Sequence, residues 1–159
     1  LPKYDQLGAE WDAANDFEPN DVIPLANLIN VGPANTLTRH IFPINNFVTS
    51  DSDQDYYRFE ALAGQRYVIQ TFDVQKDASG IGTGLYLYNN TGTELANDSF
   101  GTNGEGSVNA QITFTFTNAG TYFVRVAERR FYDWTGTYSI RVCTAQCTQS
   151  VFLPMVVRR

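Results

Sequence analysis

Ile112-Thr113-Phe114-Thr115-Phe116-Thr117 alternates apolar and hydroxyl-bearing side chains without an exception. Successive side chains of an extended strand point to opposite faces, so this segment presents one apolar face and one row of threonines. Asn118-Ala119-Gly120 follows, and Asn and Gly can supply the positive φ of a tight turn. Tyr122, Val124 and Val126 then resume the same period, so the spacing predicts a β-hairpin here. Outward from it, similar short segments lie at 36–41, 55–62, 66–74, 84–88, 93–96, 110–117, 121–127 and 137–143, each bounded by Gly, Asn or Asp. Ala63-Gly64-Gln65 and Asn89-Asn90-Thr91-Gly92 read as further turns, and sequential antiparallel pairing follows. About eight strands at this spacing predict an all-β sandwich or barrel.

The rest of the composition agrees. A chain of 159 residues holds one full domain with tails. Aromatic residues make up 14%, there is one Met, and Thr is frequent, which favours pleated sheet over helix. The net charge of −6 and pI near 4.6 give a field that repels phosphate backbones and anionic lipid, so nucleic acid is not an expected partner. No apolar run approaches the ~20 residues that span a bilayer. The N-terminal Leu1-Pro2 fits either processing after export or simple trimming. Residues 1–15 read as a tail or linker, 16–143 as the domain, and 144–159, which include Val151-Phe152-Leu153-Pro154-Met155, as an apolar tail or edge strand. The two cysteines, Cys143 and Cys147, suit a short-loop disulfide in an exported protein, with free thiols or intermolecular pairing as the alternatives.

Two acidic clusters carry the chemistry. Asp16-Phe17-Glu18-Pro19-Asn20-Asp21 holds four oxygen-bearing side chains on a segment stiffened by proline. Asp51-Ser52-Asp53-Gln54-Asp55 places three carboxylates ahead of a strand, with Asp53 and Asp55 on the same side. Hard oxygen donors of this kind suit Ca2+, which takes about six to eight oxygens at roughly 2.3–2.6 Å, better than the strictly octahedral Mg2+. The alternative reading is two solvated acidic turns.

The ordered set DFEPND, DQDYYRFEALAGQRYVIQT, LYLYNNTGTELAND, ITFTFTNAGTYFVRV and TGTYSIRV resembles the bacterial pre-peptidase C-terminal domains, a family that includes the collagen-binding domains of clostridial collagenases. The resemblance spans about residues 16–142 and implies a jelly-roll-like antiparallel β-sandwich of about eight strands, with extended tails. It also implies that the acidic linker folds back to share calcium with carboxylates at the start of the D-x-D-Y-Y strand. Asp16, Glu18, Asn20, Asp21, Asp53 and Asp55 would then be the ligands, with Asp at position 16 where Glu is also common. Metal binding would couple to folding of the linker, so chelation is expected to lower the melting temperature.

Catalysis has little to build on. His40 is the only histidine, and no nucleophile elbow, phosphate loop, dinucleotide fingerprint or zincin helix occurs. Asn89 and Asn97 head N-x-S/T sequons placed in turns, where a glycan would fit. Tyr86, Tyr88, Tyr132 and Trp134 would form a sugar or peptide platform if exposed, or fill half-buried positions otherwise. Three readings stand: a structural surface or filament subunit that self-assembles with its own copies through its tails, an accessory domain of a secreted hydrolase, and an adhesin for peptide or polysaccharide. All three place a non-catalytic protein outside the cell or on its surface.

Overall fold

The computed structural model describes residues 20–32, 34–41, 54–75, 82–99, 109–128 and 136–144. A 3-10 turn, Ile23–Leu25, leads into nine strands: β1 Asn27–Leu28, β2 Leu37–Ile41, β3 Gln54–Ala61, β4 Arg66–Gln75, β5 Thr83–Tyr88, β6 Glu94–Asp98, β7 Gln111–Thr115, β8 Gly120–Glu128 and β9 Gly136–Cys143. They form a five-stranded sheet, β1-β3-β8-β5-β6, and a four-stranded sheet, β2-β9-β4-β7. All pairs are antiparallel except β1 with β3, which run parallel through Asn27 opposite Tyr57 and Leu28 opposite Arg58. The expected β-sandwich is therefore present, and each of the eight anticipated segments is a strand.

Strict alternation builds the core. Tyr57 and Phe59 of β3, Leu85 and Leu87 of β5, and Val124 and Val126 of β8 face Ile69 of β4, Ile112 of β7, and Tyr138, Ile140 and Val142 of β9. Each of these is at most 4% exposed, so burial of one face per strand supplies the driving force. Two hydroxyls tie the layers together, since Thr71 Oγ1 of β4 and Thr83 Oγ1 of β5 lie 2.6 Å apart in the interior.

Two expected hairpins are not hairpins. β7 bonds to β4, and β8 bonds to β3 and β5 in the other sheet, so Asn118-Ala119-Gly120 carries the chain across the sandwich. Ala63-Gly64-Gln65 does the same between β3 and β4. The two arches lie side by side, with Gly64 N donating to Phe116 O at 2.7 Å and Phe116 N to Gln65 O at 3.3 Å. A two-residue period reports which face of a strand is buried and not which strand it bonds, so hairpin and arch share one pattern. Aromatic rings from both layers fill the space beneath the arches. Phe116 stands 4.0 Å from Tyr122, 5.4 Å from Tyr67 and 5.9 Å from Phe59, centroid to centroid. Among the described residues only Asn89-Asn90-Thr91-Gly92 closes a true hairpin, between β5 and β6.

The segment 20–32 straps the sandwich along one side. Ile29 N donates to Arg58 O of β3 at 3.0 Å, and Gly32 N to Val142 O of β9 at 2.7 Å, so the strap touches both sheets. Among the described residues no helix is long and apolar enough to cross a membrane.

Candidate metal centre

Strand β3 alternates inward and outward from its first residues, and that parity carries Asp55 into the interior with Tyr57, Phe59 and Ala61. Asp55 has no exposed surface. A buried carboxylate is tolerated only when its oxygens are hydrogen-bonded or face a cation. Asn20 Nδ2 donates to Asp55 Oδ1 at 3.0 Å, and the Tyr138 hydroxyl donates to Oδ2 in a short bond. The Tyr57 hydroxyl lies 2.5 Å from that of Tyr138, which extends the chain from Asp55 into the core. Burial, with the Asp55 carboxylate beside it, pushes the Tyr138 phenol well above its ordinary range.

Asn20 and Asp21, the last two residues of the acidic segment, are clamped to the same place. Tyr56 N donates to Asn20 O at 3.1 Å, and Gln54 N to Asp21 Oδ1 at 3.3 Å. Asn20 and Asp21, at the end of the first acidic cluster, thus meet Asp55, at the end of the second. Asn20 is fully buried and Asp21 half-buried. Asp16, Glu18 and Asp53 lie outside the described residues. Among the described residues no three His, Cys, Asp or Glu side chains cluster, and this centre contributes two carboxylates and one carboxamide.

The donor set fits a hard divalent cation. All its side-chain ligating atoms are oxygens, and an ionised carboxylate has about four lone-pair sites, so hydrogen bonds to Asp55 leave capacity for a metal. Tyr138 and Tyr57 were not singled out from the sequence. Their signal was the parity of their strands, which turns each tyrosine toward the core at the level of Asp55.

Other expected sites fall out differently. Cys143 is buried at the end of β9, and Cys147 lies outside the described residues. Asn89 occupies the β5–β6 turn, whereas Asn97 lies within β6 opposite Tyr86 and donates to Glu94 Oε1 at 2.7 Å. The turn expected at Asn97 is absent because β6 runs on to Asp98. Tyr86 and Tyr88 are half-buried on the outer face of the larger sheet, with the Arg125 guanidinium 4.1 Å and 5.8 Å from their centroids. Tyr132 and Trp134 lie outside the described residues, as does the His40 side chain.

Fold and site together define an all-β sandwich in which Asn20 and Asp21 are anchored at the start of β3. Residues 53–128 match the model of the bacterial pre-peptidase C-terminal domain. No curated protein matches the chain. Among solved structures, it is similar to the pre-peptidase C-terminal domain of collagenase from Bacillus anthracis, at 18% identity and a TM-score of 0.49, covering 79% of this chain and 97% of that one. It is also similar to a periplasmic inhibitor of g-type lysozyme from Aeromonas hydrophila, at 14% identity and a TM-score of 0.43, covering 74% and 96%.

Proposed function

We propose that the protein is a non-catalytic, calcium-stabilised β-sandwich module of an extracellular or cell-surface protein. The observation that carries this reading is the convergence of Asn20 and Asp21, which end the first acidic cluster, with Asp55, which ends the second. Asp16, Glu18 and Asp53 would complete the shell. The ion would neutralise carboxylates that otherwise repel one another, and so hold the strap 20–32 on both sheets. Cys143 and Cys147 would close a small disulfide loop in an oxidising compartment. A calorimetric titration of calcium into chelator-stripped protein tests the reading. Saturable binding that weakens by at least about tenfold in Asp21→Ala and in Asp53→Ala is expected, since ligand charge sets affinity at such sites. Heat indistinguishable from dilution sinks it.

Self-assembly is the second reading, and one feature favours it. Val22, Leu25 and Leu28 are 48%, 48% and 55% exposed along the strap, with Leu28 in the edge strand β1 itself. An exposed edge flanked by apolar side chains is a surface that a further copy of the chain would cover, with the tails 1–15 and 144–159 as the connecting arms. Light scattering after size exclusion decides the point. Oligomers that dissociate in Leu25→Ser/Leu28→Ser or on removal of 150–159 support assembly, and a monomer at all concentrations excludes it.

A further inference from the structure

The β5–β6 turn and the β7–β8 arch border a half-open cavity of about 340 Å³. Its apolar wall is Phe114, Phe116 and Tyr122, its rim carries Asn89, Asn90 and Asn118, and none of the residues lining it is charged. Two points of the rim are held by hydrogen bonds. Asn89 Oδ1 accepts from Thr91 N at 3.0 Å, Thr91 Oγ1 at 2.8 Å and Thr93 N at 2.8 Å, which fixes the carboxamide and leaves its Nδ2 as a donor. The Tyr122 hydroxyl donates to Asn118 O at 2.8 Å and holds the ring and the arch together. Among the described residues, no partner takes up the carboxamides of Asn90 and Asn118, both exposed.

We propose that this cavity is a binding site for a neutral saccharide. Pyranose rings have an apolar C–H face that rests on aromatic side chains, and an edge of hydroxyls that both donate and accept. Carboxamides match such hydroxyls, because Asn90 and Asn118 each offer two donors and an acceptor, and the fixed Asn89 adds its Nδ2 donors. The absence of charge in the lining disfavours uronates, phosphates and basic peptides, since a charged ligand would lose water there without gaining a counter-ion. The volume is at the lower end of ligand sites and suits one or two sugar rings. A glycan attached at Asn89 Nδ2 would itself fill the rim, so the site requires an unmodified Asn89.

The test uses isotope-labelled, unglycosylated chain of full length, with cellohexaose, chitohexaose and mannohexaose as neutral probes and a polygalacturonate oligomer as the charged one. At millimolar concentrations at least one neutral probe should move the side-chain amide signals of Asn89, Asn90 and Asn118, with the charged oligomer weaker. Asn90→Ala/Asn118→Ala should reduce the affinity about tenfold, the effect of losing two neutral hydrogen bonds, with the melting temperature unchanged. Three results overturn the proposal: no response to any neutral probe, equal response to the charged one, or the same signals shifting without sugar when residues 150–159 are removed. The last would mean that the chain's own apolar segment occupies the cavity. Titration of the unaltered chain decides alone should the double variant fail to fold.

Discussion

Asp55 keeps both carboxylate oxygens hydrogen-bonded while fully enclosed by the sandwich, and the Tyr138 hydroxyl serves Asp55 and Tyr57 at once. Removing that hydroxyl leaves a buried acceptor with one donor fewer. Tyr138→Phe should therefore cost about 1–3 kcal/mol of unfolding free energy, read by urea denaturation. Tyr88 provides a pH signature elsewhere. Burial pushes its phenol up to about 12, against the opposing pull of Arg125. A raised folded value means the native state keeps the proton that the unfolded chain gives up near its ordinary 10.0. Stability linked to Tyr88 is thus complete below about pH 10 and lost as pH rises toward about 12. The alkaline fall in Tm should be shallower in Tyr88→Phe than in the unaltered chain. At this scale Asp55 was legible from its place ahead of a strand, because parity alone turns it inward. Tyr138 was not, since its partner is eighty-three residues away and only the folded chain joins them.

The arches govern the element scale. Gly64 has φ of 74°, and no atom lies within 4 Å of where a Cβ would sit. Its substitution thus tests backbone conformation without a steric clash. Gly64→Ala should destabilise by about 1 kcal/mol, measured by chemical denaturation, through the left-handed conformation alone. Every long strand was visible in the sequence, because burial of one face imposes a period that side-chain chemistry records. Partnership was not visible, because Ile112, Phe116, Val124 and Val126 would face inward in either a hairpin or an arch. The parallel strand β1 escaped for another reason: its two residues, Asn27 and Leu28, are too few to show any period.

Over the whole molecule, a net charge of −6 makes a bound cation favourable on electrostatic grounds, and the proposed calcium site would draw on that charge. Calcium that binds the folded state alone should stabilise it by about 2.7 kcal/mol at a free concentration about a hundredfold above Kd. For a domain of this size that is roughly 5–10 °C in Tm. Scanning calorimetry in calcium and then in chelator should show a fall of that order, steeper at low salt. The most direct measurement is a crystal structure grown in millimolar calcium. An ion is expected within roughly 2.3–2.6 Å of oxygens from both the Asp16–Asp21 segment and the Asp53–Asp55 segment. Density that leaves Asn20 and Asp55 bonded only to each other and to Tyr138, with no ion near either segment, would contradict it.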